Sequence, residues 1–192
     1  PPTDYLALCT DNLSDPEIKL PGENFNTVIW SGNDADDREI TGVGFQPDLI
    51  WNKRRSAIGQ HQLQDSLRGV TKVLKSSSTT SEGTETNSTK SFDSDGFTVG
   101  TDGNINGSGT TYVAWNWKAG GAPTADNSAG AGATPTAGSV KIDGSNLGSA
   151  LAGSIAATRL SANTSAGFSA IGFAANDSTG TVAHGLSVAP EL

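Results

Sequence analysis

The chain is expected to be all-β: an antiparallel β-sandwich joined by a Gly/Ala/Thr-rich linker to the start of a second β module. Three observations predict it. Short runs of alternating apolar and polar residues recur between turn signals from Phe25 onward, no convincing helical periodicity interrupts them, and the opening of the series returns near the end of the chain. Slid along itself by one constant shift, the sequence lays Phe25–Leu49 over Phe168–Leu192 without a gap. Phe25 then falls on Phe168, Asn33 on Asn176, Asp34 on Asp177, Gly42 on Gly185 and Pro47 on Pro190, with Val28 over Ile171 and Trp30 over Phe173. A repeat of this length is first of all a structural module.

Composition narrows the classes. The 12 Lys and Arg against 20 Asp and Glu leave a net charge of −8, which argues against a nucleic-acid binder. Cys9 is the one thiol, so no internal disulfide forms. No apolar run approaches the roughly 20 residues of a bilayer span and no signal peptide is visible, so a soluble protein is expected. The start on Pro1-Pro2 is not a translation start, and a further segment is expected before it.

Taken in order, residues 1–24 read as a connector from a preceding module, with an extended run at Tyr5–Cys9 and turns at Asp15-Pro16 and Pro21-Gly22. Residues 25–119 read as the sandwich. Phe25, Thr27 and Ile29 alternate with Asn26, Val28 and Trp30. Glu39–Val43 and Asp48–Lys53 follow as strands, the second with Pro47 at its mouth. His61–Leu67 and Val70–Leu74 continue the series, and Ser76–Thr89, nearly devoid of apolar residues, reads as a long exposed loop. Phe92-Asp-Ser-Asp-Gly-Phe97 is hairpin grammar, with Gly96 free to take positive φ. Asn104–Gly107 marks another turn. The strongest strand signal is Thr111–Lys118, with Val113, Trp115 and Trp117 on one face and Tyr112, Ala114, Asn116 and Lys118 on the other. Residues 120–138 read as a flexible linker. Residues 139–192 read as a junction, with a strand at Ser139–Asp143, leading into the first part of a second, incomplete repeat. Leu147, Leu151 and Ile155 permit a helix by spacing, but Gly148 and Gly153 each cost about 1 kcal/mol relative to Ala inside one.

The ordered series GFQPDLIWNKRR, His61, DSLRGVTK, SFDSDGFTVG, Asn106 and YVAWNWKAGG resembles an uncharacterised repeat domain of marine bacteriophage virion proteins of the tail-fibre kind. KIDGSNLGSALAG and RLSANTSAGF look like the junction to the next repeat. DYLALCTDNLSDPEI looks like the exit of a SPRY-like module that often precedes it. The resemblance implies a concanavalin-like or laminin-G-like jelly roll and no known catalytic residues. It also implies a virion surface appendage, and a tail- or head-fibre role in particle assembly and host attachment. Where the family reads WIK, this chain has Trp51-Asn52-Lys53, and one face of that strand is then expected to meet solvent.

Candidate sites stand beside ordinary alternatives. Asp93, Asp95 and Asp102 fall at spacings faintly like a calcium loop, but Ser91 stands at the first position and no helices flank it, which favours a plain hairpin; no metal is assigned. His61, Asp65 and Ser66 supply the residue types of a hydrolytic triad without a nucleophile elbow, and alternation turns Ser66 away. Asp93 and Asp95 are the only close carboxylate pair in an ordered-looking turn. No catalytic residue and no cofactor is expected, and the protein reads as a non-enzyme. Trp115 and Trp117, about 7 Å apart along one strand face, make a platform for sugar rings if exposed and core if not, and core is the ordinary fate. Lys53, Arg54, Arg55, Arg68, Lys72 and Lys75 make the stretch from Trp51 to Lys75 net +5. That group suits an anionic polysaccharide or an acidic neighbouring subunit, or else is a solvated face. Expected partners are other virion proteins, further copies of the chain in a fibre trimer by analogy, and host surface polysaccharide.

Overall fold

Two sheets face each other across the first core and a third continues beyond them. The structure, a computed structural model, describes Leu13, Ile18, residues 20–175 and residues 179–189. The Tyr5–Cys9 run lies outside the described residues. After a 3-10 turn at Pro21–Glu23 the strands are β1 (Phe25–Ser31), β2 (Arg38–Thr41), β3 (Leu49–Arg54), β4 (Gln62–Asp65), β5 (Lys72–Lys75), β6 (Gly83–Thr84), β7 (Thr89–Asp93), β8 (Gly96–Val99) and β9 (Thr111–Trp117). One helical turn, α1 (Gly103–Asn106), precedes β9. Next come β10 (Val140–Ile142), β11 (Ser145–Asn146), β12 (Ala157–Asn163) and β13 (Phe168–Phe173).

A six-stranded sheet in the order β1-β9-β3-β4-β5-β6 and a three-stranded sheet β2-β8-β7, antiparallel throughout, form the sandwich. Its core joins Trp30, Ile50, Tyr112 and Ala114 from the larger sheet to Ile40, Phe97 and Val99 from the smaller, closed by Ile105 of α1. The two large aromatic residues are buried because their polar ends are satisfied. Trp30 Nε1 donates to Ile105 O at 3.0 Å. Tyr112 Oη donates to Gly103 O at 2.7 Å and accepts from Gly107 N at 2.8 Å, so one phenol closes the loop around α1. At the β7–β8 turn Gly96 has φ 152°, and a Cβ there would lie 2.0 Å from Ile40 O, so only glycine lets β8 approach β2.

The core face is not uniformly apolar. Asn52, Gln62, Gln64, Ser88 and Thr89 are fully buried. Thr89 Oγ1 and Ser88 Oγ each donate at 2.8 Å, to Gln64 Oε1 and Gln62 Oε1 respectively, and Asn52 Nδ2 approaches Gln64 Oε1 at 3.4 Å. Two expectations are corrected here. Asn52, expected on a face that meets solvent, is instead buried and joins an internal amide network. The stretch Ser76–Thr89 contains β6 and ends in two buried hydroxyls, because both are needed to satisfy glutamines of β4.

The third sheet runs β11-β10-β12-β13, with β10 and β12 parallel, over a core of Val140, Leu151, Ala157, Leu160 and Ala162. Leu147, Leu151 and Ile155 are not helical: Leu151 enters this core and Ile155 bridges Val182. Residues 120–138 hold no strand or helix, yet they are not slack. Thr124 N donates to Gly138 O and Asn127 N to Thr158 O, both at 2.8 Å. The buried Asn127 accepts from Ala129 N and Thr136 N and donates to Ala157 O. Small residues deprive this segment of apolar side chains, and backbone and Asn hydrogen bonds fix it instead.

Its entry is the tightest point. Gly120 N donates to Ser161 Oγ and Ser161 Oγ to Gly121 O, both at 2.8 Å. A Cβ on Gly120 would meet Ala162 O at 2.5 Å and Lys141 O at 2.6 Å, so the Gly-Gly pair lets the chain cross the third sheet. Asp48, only 5% exposed, accepts from Ala119 N at 2.7 Å, Gly121 N at 3.2 Å and Ser66 Oγ at 2.7 Å, binding the sandwich to the start of that crossing.

Candidate functional site

The sheet face turned away from the sandwich core carries the candidate site. Strand pairing places Thr27, Trp115, Trp51 and Leu63 in one row across β1, β9, β3 and β4, with Ile29, Val113 and Lys53 in the row beside it. Trp115 and Trp51 lie with ring centroids 5.4 Å apart at 48°, and the His61 ring is 6.5 Å from Trp51. Ile29 is 66% exposed at the rim. The reading of Trp115 and Trp117 as core is therefore overturned. Tyr112, Ala114 and Asn116 face inward, because β2 and β8 cover that side, and the tryptophans face outward, half-buried.

Nor do the two tryptophans act as a pair. Trp117 is flanked by Phe25 at 5.0 Å and stacked with Phe168 at 6.2 Å and 21°, whereas Trp115 belongs with Trp51. Trp51 was not singled out from the sequence. Its signal was available in the alternation of LIWNK, which sets Trp51 on the face opposite Ile50 and Asn52. Chemically, tilted indoles on a sheet face beside an ammonium offer apolar stacking area with a cationic edge, suited to ring faces.

The six basic residues do not form a single patch. Arg54 turns inward, its guanidinium donating to Gly103 O and Ile58 O. Arg68 chelates Asp65 at 2.6 Å and reaches Glu82 at 3.1 Å. Lys75 pairs with Glu85 at 3.8 Å, and Lys72 Nζ donates to Thr84 Oγ1 at 2.9 Å. Lys53 and Arg55 form no ion pair among the described residues, and Lys53 is the member on the aromatic face.

The other candidates are separated by the fold. Asp95 accepts from Gly42 N at 3.1 Å and Gly44 N at 2.6 Å, Asp93 accepts from Thr98 Oγ1 at 2.8 Å, and Asp102 caps α1 through Asn104 N at 2.9 Å. Asp95 thus ties its turn to the loop after β2, Asp93 and Asp102 hold their own segments, and among the described residues no group of three acids, histidines or cysteines converges. Ser66 Oγ donates to Asp48, Asp65 holds Arg68, and His61 lies against Trp51, so the triad types are not brought together. His184 Nδ1 accepts from Leu186 N at 3.1 Å.

What fold and site define is an all-β sandwich with Asp48, Asp95 and Asp102 holding its own backbone and with Trp51 and Trp115 on the sheet face turned away from the core. The chain belongs to the family described as Domain of unknown function (DUF7483), whose model matches residues 20–144, well over half its length. That span includes the hydrogen-bonded segment 120–138. No curated protein and no solved structure matches the chain.

Proposed function

We propose that this chain is a repeat unit of an elongated bacteriophage virion protein, a tail- or head-fibre segment that serves particle assembly and host attachment and performs no catalysis. The observation that carries the reading is the doubled opening. Phe25 and Phe168, equivalent in the sequence overlay, start strands β1 and β13 and flank the same Trp117, so one unit ends against the beginning of another. The resemblance of the ordered motifs to phage repeat domains supports a virion placement. A surface appendage, contact with other virion proteins and a symmetric assembly, a trimer by analogy, belong to the same proposal. Copies along a fibre would multiply weak contacts through effective concentration. Immunogold labelling of phage particles with antibody to this chain tests it: label along an appendage is expected, and particles without label overturn it.

A second reading, a glycan-binding adhesin module, is favoured by one observation, the outward Trp115–Trp51 pair beside Lys53. Titration of host polysaccharides against tryptophan fluorescence decides it, since absence of any response removes this reading and leaves the first standing.

A further inference from the structure

Strand β13 uses the opposite edge from its counterpart β1. On β1, Gly32 N donates to Thr110 O and Lys118 N to Asn24 O, so the even-numbered residues turn their N–H and C=O toward β9. On β12, Leu160 N donates to Ser139 O and Ala162 O accepts from Asp143 N, so Arg159, Ser161 and Asn163 are the residues that face β13. Their partners there are Gly172, Ala170 and Phe168. The backbone groups of Ser169, Ile171 and Phe173 therefore point out from the sheet edge, and Phe173 is 52% exposed.

In the sequence overlay these three residues fall on Asn26, Val28 and Trp30, the ones that bond β9. The edge left open on β13 is thus the edge that β1 gives to β9, while the edge β13 shares with β12 corresponds to the outer edge of β1.

We propose that the open edge of β13 is a docking site for a β9-type strand, supplied by a further copy of the unit spanning residues 50–119. Strand β13 then stands as β1 of that copy, and the third sheet and the copy's large sheet become one continuous sheet through it. An apolar edge strand whose outer hydrogen-bonding row meets no partner among the described residues is a template for such addition. The inference rests on the repeat reading above but not on the virion placement, so particle labelling and the test below fail independently.

The test extends the full chain at Leu192 by a second copy of residues 50–121, which carries no β1 of its own. The added copy is expected to fold, and the amides of Ser169, Ile171 and Phe173 to exchange about a hundredfold or more slowly than in the 192-residue chain, as amides joining a cooperative sheet do. Ser169→Pro, whose lost N–H faces outward, is expected to leave the 192-residue chain folded and to abolish that protection in the extended one. An added copy that stays unfolded overturns the proposal. So does one that folds without protecting those amides, or pairing of β13 with β13 between two molecules of the 192-residue chain, seen as a dimer with the same amides protected.

Discussion

Trp117 stacks on Phe168 with ring centroids 6.2 Å apart and planes 21° apart, and this contact joins the last strand of the sandwich to the first residue of the repeated opening. Phe168→Ala is expected to lower stability by about 1–2 kcal/mol, below a fully buried Phe truncation because the ring is only half-buried. Urea unfolding followed by tryptophan emission checks it; an unchanged midpoint means the stack holds nothing together.

Asp48 is the second fastening. Asp48→Ala leaves the buried N–H of Ala119 and the partly buried N–H of Gly121 without their acceptor and is expected to cost about 2–4 kcal/mol. Asp48→Asn keeps one acceptor oxygen and should fall between. Equal midpoints for the Ala variant and the parent in denaturant would remove Asp48 from this role.

At the surface, Lys90 Nζ lies 2.9 Å from Asp36 Oδ1 and 2.6 Å from Asp37 Oδ1. The hydrogen bond from Lys90 holds the Asp36 carboxyl below the usual carboxylate range, and the carboxylates, Asp37 first, hold the Lys90 ammonium above its usual range. A depressed folded-state carboxyl stabilises above the unfolded value of about 3.9 and loses that contribution as pH falls through its folded value. A raised ammonium contributes below the unfolded value of about 10.4 and fades at higher pH. The stability gap between the parent and Lys90→Met is therefore expected to be small and flat across neutral pH, to close in acid and in strong alkali, and to shrink in high salt. A gap that widens on acidification contradicts the assignment.

Trp115→Ala and Trp51→Ala separate presentation from folding. Each is expected to abolish any fluorescence response to polysaccharide while shifting the unfolding midpoint less than Trp30→Ala, since Trp30 alone of the three belongs to the core cluster. Destabilisation equal to that of Trp30→Ala would mean the outer face is structural.

The strand series and the all-β architecture were legible because alternation and turn residues are local signals. Which face of β9 points inward was not, since Thr111–Trp117 carries bulky apolar residues on both sides and the choice is made by Ile40 and Phe97, distant in sequence. The burial of Asn52 escaped for a similar reason. Hydropathy marks an amide as exposed, and only the fold brings Gln64 and Thr89 to form its network. Of the candidate site, the tryptophans of β9 were visible as residues, but the Trp115–Trp51 pair depends on the register between β9 and β3. The segment 120–138 misled through composition: it has almost no side chains to bury, so its order lies in backbone hydrogen bonds that no residue tally records.

The crossing at Gly120, gripped by Asp48 on one side and Ser161 on the other, would govern how length accumulates in the proposed fibre. Units joined by loose coil spread apart only as the square root of the tether. In the fibre proposed above, a joint held in this way would let end-to-end distance grow in direct proportion to the number of units and would keep a constant turn from one aromatic face to the next.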